Sequence, residues 1–555
     1  MQPMPRNKAP RVPAWLNDAV IYQIFPPSFR DSNGDGVGDI PGIIEKLDYL
    51  RSMGFNTLWI TPWFDSPFED AGYDVADYRR VASRYGKNSD ARRLFREAHR
   101  RGIRVLLDLV AGHTSRLHPW FEQSCLPAPN EFTDHYLWTQ VWGAKLPGRM
   151  TTVAGYSQRE AAYASNYFWF QPALNHGFAR PDPACRWQKS PRSPAARRVR
   201  DEITAIMRFW LDMGADGFRC DMASTLVKND PEKKETSRLW RHWRKMLDRE
   251  YPEAVLLSEW TRPPAALAAG FHLDFMPGVG STLFRNERGR HAGNHSGHSV
   301  FSAGGQGDIC EWLDPFLKNL ESCRELGFIA PYSGNHDMVR LNVRRSVAEL
   351  KVIMAFLLTL PGTPIIYYGD EIGMRHLTVP PKEGGMHRCG ARTPMQWDSS
   401  SRAGFSSAPP NAFYLPVDTA SDRRSVAGQM QDAESLLQTV RRLIALRQAS
   451  PVLKASGDFT PVFARPGRYP FAFLRGAGED SLLAAFNPTR KQQTASFGAG
   501  LLTGRPELAL GERAVFTLRG KRAHLEMGPF SYGIFRFPPM EATCGQTYPC
   551  ALPGG

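Results

Sequence analysis

Three carboxylates stand at or just beyond the ends of short apolar runs in this 555-residue chain. Asp221 follows Gly217-Phe-Arg-Cys, Glu259 follows Val255–Ser258, and Asp337 ends Ser333-Gly-Asn-His-Asp337. A further run, Arg104–Leu109, leads into Asp108-Leu-Val-Ala-Gly-His113. Paired carboxylates around a cleft suit glycoside cleavage. One stays ionised as nucleophile while the other carries a proton to the leaving oxygen. Arg219 lies two residues before Asp221, on the same face of a strand, where its charge favours ionised Asp221. Glu259 beside Trp260 is expected in a drier site that raises its pKa. A salt bridge or a loop cap explains one such carboxylate. It does not explain three at separate strand ends, accompanied by His113 and His336.

Such a cluster needs a scaffold that gathers strand ends at one mouth. Val20–Phe25, Thr57–Thr61, Arg104–Leu109, Gly217–Cys220, Val255–Ser258, Phe328–Tyr332 and Ile365–Tyr368 read as buried strands. Helical stretches alternate with them: Ile40–Met53, Asp90–Arg100, Ile203–Met213, Ser237–Tyr251, Leu313–Arg324 and Leu350–Leu360. Repeated β–α units with near-continuous apolar strands predict a parallel sheet, and this many predict a closed (β/α)8 TIM barrel. Its chemistry belongs on the loops after the strand C-termini. From Thr114 to about Arg192 the rhythm stops, which predicts a domain inserted after the third strand. Beyond Pro451 short alternating segments predict a C-terminal antiparallel β-sandwich. The expected division is barrel at 1–113 and 183–452, insert at 114–182, sandwich at 453–540 and a loose tail at 541–555.

Composition is that of a globular protein, with 42% hydrophobic and 22% charged residues, which excludes disordered and fibrous classes. The balance of 69 Lys+Arg against 55 Asp+Glu gives +14 and raises nucleic-acid binding as a hypothesis. The basic residues are spread over helical stretches and no nucleic-acid motif accompanies them. A solvated surface is therefore expected, and no nucleic-acid partner. The most apolar stretch, Val352–Tyr368, is interrupted by Pro361, Gly362 and Pro364, so no membrane span is expected. The basic N-terminal stretch lacks the apolar core of a secretory signal, and the 8 cysteines show no CxxC spacing. Reduced thiols and a cytoplasmic location are the expectation.

Asp31-Ser-Asn33-Gly-Asp35-Gly-Val37-Gly-Asp39 places oxygen donors at alternate positions among glycines. That pattern suits a hard cation, a structural Ca2+ or Mg2+, held by Asp31, Asn33, Asp35, Val37 and Asp39. It is similar to the opening of an EF-hand loop, but Gly42 stands where a closing Glu would be. No organic cofactor is implied. The Gly-, His-, Arg- and Ser-rich segment Gly278–Gly307 reads as a mobile loop over the mouth or as a solvated insertion, and its composition favours mobility.

The four strand-end segments, in this order, resemble the signature regions of the α-amylase family, glycoside hydrolase family 13. Gln171-Pro-Ala-Leu-Asn175, Ala71-Gly-Tyr-Asp-Val-Ala-Asp-Tyr78, Pro361–Glu371 and Arg392-Thr-Pro-Met-Gln-Trp397 resemble its oligo-1,6-glucosidase-like branch. The resemblance runs from about Ala19 to Phe537. It implies that Asp221 is the nucleophile, Glu259 the acid and then base, and Asp337 a stabiliser of the distorted transition state. It also implies that Arg219 orients Asp221, that His113 and His336 bond the sugar, and that Tyr73 stacks on it. Asp74 and Arg392 would close the pocket around the non-reducing end. A closed pocket implies exo-action on small α-glucosides or oligosaccharides by a retaining α-glucosidase. A transglucosylase or sucrose isomerase would use the same glycosyl-enzyme. Those isomerases carry an RLDRD-like segment where this chain reads Met338–Arg345, so hydrolysis leads. A non-catalytic, transporter-associated relative is disfavoured by the intact carboxylates. The chain departs from the family at Gly112, where an Asn is usual, and at Met222, which matches none of the residues associated with a linkage preference. The resemblance gives no second metal, linkage preference or oligomeric state.

Overall fold

Eight short strands are buried along nearly their whole length, as their apolar composition requires. They are β1 (Ile21–Ile24), β2 (Thr57–Ile60), β3 (Arg104–Leu109), β4 (Gly217–Cys220), β5 (Val255–Ser258), β6 (Leu273–Phe275), β7 (Phe328–Ala330) and β8 (Ile365–Tyr367). The computed structural model describes residues 12–140, 143–144, 146, 150–284, 298–476, 481–500, 502 and 505–537. The tail from 538 and residues 285–297 of the Gly278–Gly307 segment lie outside them.

All eight strands run parallel in the order β7-β6-β5-β4-β3-β2-β1-β8. A parallel bridge between Tyr332, just past β7, and Ile365 of β8 joins the two edges and closes the barrel. β6 escapes the sequence reading. It is three residues long and carries Asp274 at its centre, so no apolar run marks it.

The helices between strands start and stop on ordinary signals. Pro194–Met213 opens with Ser193, whose hydroxyl accepts from Ala196 N–H. Pro194 occupies the first turn, and Gly214, at φ 123°, ends the helix. Val347–Thr359 is buried from Leu350 onward because it lies between the barrel and the C-terminal sheet. Its Phe356 meets Phe471, Phe473 and Phe486 of that sheet. The expected single helix at 40–53 is divided at Lys46 into Ile40–Glu45 and Leu47–Ser52.

Between β3 and the helix at 194 the chain forms a short helix, Pro119–Ser124, and an antiparallel hairpin, Thr151–Ala154 with Ala162–Ser165. A bridge from His113 to Ala173 ties this excursion to the C-terminal end of β3. Six antiparallel strands follow the barrel: β9 (Phe459–Arg465), β10 (Arg468–Arg475), β11 (Leu482–Asn487), β12 (Gln493–Gly498), β13 (Glu507–Arg519) and β14 (Arg522–Arg536). β14 pairs β12 through its first half and β11 through its second, with β13 alongside. One continuous sheet thus wraps a core of Leu474, Leu483, Phe516, Leu525 and Phe535. Among the described residues no helix is long and apolar enough to cross a membrane.

Candidate active site

The strand ends converge on a cavity of about 430 Å3 whose lining includes Tyr73, His113, Asp221, Glu259 and Asp337. Asp221 and Glu259 follow β4 and β5 directly. Their backbone N–H groups extend the barrel ladder, bonding Leu109 O (3.0 Å) and Cys220 O (3.1 Å). Period-two alternation places Arg219 inward, 2% exposed, beneath both carboxylates. Its Nη1 reaches Asp221 Oδ1 at 3.0 Å and Asp108 Oδ1 at 2.7 Å, while Nη2 reaches Glu259 Oε2 at 2.8 Å. One guanidinium therefore serves three carboxylates. Trp59 Nε1 and the Tyr73 hydroxyl both donate to the other oxygen of Asp108 at 3.0 Å. Burial pushes Asp108 up to about 6, against the pull of Arg219.

Asp221 does not follow the expectation that Arg219 dominates it. Burial first, and the neighbouring Glu259 second, push its carboxyl well above the usual carboxylate range; Arg219 only moderates this. Glu259 does not occupy the drier position either. Its side chain is 33% exposed, against 10% for Asp221. Met222 N–H donates to Glu259 Oε2 at 2.8 Å. Met222 itself sits at φ 43°, a costly conformation for a side-chain-bearing residue, and turns the chain directly after Asp221. Asp274 of β6 steadies the next loop, accepting from the N–H groups of Trp260 (3.0 Å) and Thr261 (3.2 Å).

Asp337 lives in opposite company. Its Oδ1 accepts from Arg388 Nη1 at 2.7 Å and Arg392 Nη2 at 2.8 Å. Burial alone would raise this carboxyl, but His336, Arg392, Arg388 and Arg219 outweigh it and hold Asp337 far below the usual range. Burial also keeps His113 and His336 neutral, each pushed down to about 3. His336 stacks on Tyr73 at 5.3 Å between centroids and lies under the pocket wall.

Asp74 requires a correction. It is fully buried and does not border the cavity. Its oxygens accept from Ser66 Oγ (3.0 Å), Glu69 N–H (2.8 Å) and Asp70 N–H (3.0 Å). It shapes the turn that presents Asp70, and Asp70 is the acid that faces the cavity. Asp70 approaches Arg388 Nη2 at 3.4 Å and accepts from Gln171 Nε2 at 2.8 Å. The sequence reading missed Asp70 and Arg388. Asp70 stands three residues before Tyr73, on a turn where the choice between two acids depends on the fold. Arg392, 1% exposed, lies behind Asp337 and does not border the cavity.

Residues 23–456 match the family model described as "Alpha amylase, catalytic domain". The chain belongs to the α-amylase family. It is therefore an enzyme of glycoside hydrolase family 13, with the TIM barrel and the antiparallel C-terminal domain seen above. The oligo-1,6-glucosidase of Parageobacillus thermoglucosidasius is 30% identical, with 86% of this chain and 91% of that one covered. The trehalose synthase of Thermus thermophilus is 32% identical over 96% of this chain, which spans only 56% of that relative's length. Among solved structures, a trehalulose synthase variant crystallised with Tris is 25% identical at a TM-score of 0.76, with 94% of this chain and 100% of that one covered. An α-glucosyl transfer enzyme is 27% identical at 0.73, with 95% and 100% covered. This α-amylase-family chain is thus similar both to hydrolases and to synthases.

The expected cation loop can be tested for fit. Gly34 and Gly36 take φ of 81° and 90° and let the segment curl. Asp31 accepts from the N–H groups of Asn33, Gly34 and Gly36, Asn33 Oδ1 from Asp35, and Asp35 Oδ1 from Val37. Asp39 accepts from Gly42 N–H and caps the next helix. The donors are all oxygens, the chemistry a hard cation takes. Among the described residues no three His, Cys, Asp or Glu converge on a metal position. The loop fits a cation only with the neutral oxygens of Asn33 and Val37 completing its shell.

Proposed function

We propose that this enzyme is a retaining, exo-acting α-glucosidase of short α-glucosides and oligosaccharides. The observation that carries the reading is the shared Arg219 fork, which holds Asp221 and Glu259 on two nitrogens of one guanidinium. Asp221 attacks the anomeric carbon as the bond to the leaving oxygen breaks. Glu259 gives its proton to that oxygen. Its Oε2 is committed to Arg219 and Met222, which leaves Oε1 to carry the proton. In the second half, Glu259 takes a proton from water as that water displaces Asp221. The permanently ionised Asp337 stabilises positive charge at the sugar in between. The ion pairs of Asp70, Arg388, Asp337 and Arg392 support a closed far end, hence exo-action. Loop 31–39 would hold a structural Ca2+ or Mg2+ through Asp31, Asn33, Asp35, Val37 and Asp39, with no part in the chemistry.

Transfer to a sugar hydroxyl is the second reading. A neighbouring cavity of about 670 Å3 shares Tyr167, Met222 and Thr225 with the first, and offers space for an acceptor. Incubation with maltose, isomaltose, sucrose, trehalose and an aryl α-glucoside, followed by early-time product analysis, separates the two. Free α-glucose as the dominant first product supports hydrolysis. Dominant glucosides or isomerised disaccharides establish transfer, and β-glucose overturns retention.

A further inference from the structure

The wall between the two cavities carries side chains to which the glycosyl chemistry gives no task. Lys228 lines the second cavity and is 6% exposed. Its Nζ donates to Asn166 Oδ1 at 2.9 Å and to Thr225 O at 2.8 Å, both neutral acceptors. Burying an ammonium against uncharged oxygens is costly, and burial pushes Lys228 down to about 7.

The donor inventory shows what this cost secures. As an ammonium Lys228 only donates, and its contact with Thr225 O is to an acceptor too, so in that form Asn166 Oδ1 accepts from it and the amide's orientation follows. Asn166 Nδ2 then donates to His113 Nδ1 at 3.0 Å. With Nδ1 accepting, the proton of neutral His113 resides on Nε2, which donates to Tyr73 O at 3.1 Å. The other active-site histidine differs. His336 Nδ1 meets Gln23 Nε2 at 2.9 Å, but Gln23 Oε1 has no partner among the described residues. Among the described residues no partner on that side fixes the amide.

Gly112 belongs to the same arrangement. A Cβ there would lie 2.9 Å from Asn166 Nδ2 and 3.5 Å from a Leu226 methyl. The bare glycine leaves room for an amide that arrives from the excursion after β3.

We propose that Lys228 and Asn166 are positioning residues that hold His113 as its Nε2–H tautomer at the glucosyl cavity, in space that Gly112 leaves open. The proposal rests on the glucosidase reading of that cavity, which His113 lines. Asn166→Asp tests it most sharply. The variant keeps the size and the Lys228 contact but offers Nδ1 only acceptors while Nε2 still faces the Tyr73 carbonyl, so His113 takes up a proton from solvent at Nδ1. The account expects kcat/KM on an aryl α-glucoside to fall roughly ten- to a hundred-fold, with a cooperative thermal transition retained. Imidazole 15N NMR should report a proton on Nε2 alone in the unaltered enzyme and a proton on Nδ1 as well in Asn166→Asp. Gly112→Asn should lose activity alone and regain part of it when combined with Asn166→Ala. Unchanged kinetics in Asn166→Asp, or Nδ1–H in the unaltered enzyme, overturns the proposal. An unaltered enzyme that turns over no α-glucoside would sink the glucosidase reading, while the tautomer result still decides this one.

Discussion

The two ends of the catalytic cavity use the same ingredients in inverse proportion. Near β4 and β5, Asp108, Asp221 and Glu259 share the single guanidinium of Arg219. At the other end Asp337 receives both Arg388 and Arg392, and Asp70 meets Arg388 only at 3.4 Å. Burial first and Glu259 second raise Asp221, while the surrounding cations outweigh burial and lower Asp337. Only the shift of Asp337 suits its task directly. Asp221 must be ionised to attack, so its raised carboxyl sets an acid-side limit on activity. A site that must present constant negative charge to a cationic transition state never binds a proton in the working range. The ratio of charges around a carboxyl, not its residue type, separates the two roles.

The largest test removes the nucleophile. Asp221→Asn should lower kcat by roughly 10⁴-fold or more on every substrate, since the covalent step has no substitute. Persisting turnover in a preparation free of wild-type enzyme would remove Asp221 from that role.

Glu259→Gln comes next. On poor leaving groups the loss should be about 10²- to 10⁴-fold, the usual contribution of a general acid. The pH dependence carries more information. Burial and the neighbouring Glu259 raise Asp221, so in the unaltered enzyme activity should fall on the acid side as Asp221 takes up a proton. An aryl α-glucoside, whose leaving group needs no proton, should be hurt least by Glu259→Gln. In that variant the acid limb should move to lower pH, since Asp221 no longer faces a second carboxylate. An unmoved acid limb would show that Glu259 does not raise Asp221.

At the cationic end, Arg388→Met should reduce kcat/KM roughly ten- to a hundred-fold, as expected for losing a charged hydrogen bond of about 1.5–3 kcal/mol. Asp337 should rise toward the ordinary carboxylate range, and activity should begin to fail at a higher pH on the acid side. An unchanged acid limb would mean that Arg392 alone holds Asp337 down. The smallest effect on catalysis belongs to Asp74→Ala. It strands the N–H groups of Glu69 and Asp70 and should cost about 1–3 kcal/mol in denaturant unfolding, with catalysis changed less than by Asp70→Ala. A greater catalytic loss from Asp74→Ala than from Asp70→Ala would reverse that assignment.

The sequence was most legible where local rules coincide with the architecture. Apolar runs mark seven of the eight strands, and the barrel dictates that polar residues after them meet. Asp221, Glu259, Asp337 and Arg219 could therefore be named from position and type. β6 was hidden because a three-residue strand with a central aspartate has no apolar run. β12 was hidden because only two of its six residues, Ala495 and Phe497, are apolar and buried. Asp70, Arg388, Asn166 and Lys228 were illegible for another reason. They reach the site from loops without periodicity, and their contacts cross 51 to 318 positions of sequence. Asp74 was mistaken for Asp70 because a motif places both acids in one turn, and only the backbone amides decide which faces inward. The opposite electrostatics of Asp221 and Asp337 were likewise invisible, since they depend on how many cations the fold delivers to each.

The central claim is that Asp221 becomes covalently bonded to the sugar. The most direct measurement is reaction with a 5-fluoro-α-glucosyl fluoride, then peptide mass spectrometry of the inactivated enzyme. The account predicts one fluoroglucosyl group on the peptide that carries Asp221, and none on those that carry Glu259 or Asp337. A label on either of the latter, or full turnover of the reagent to β-product with no label, would contradict it.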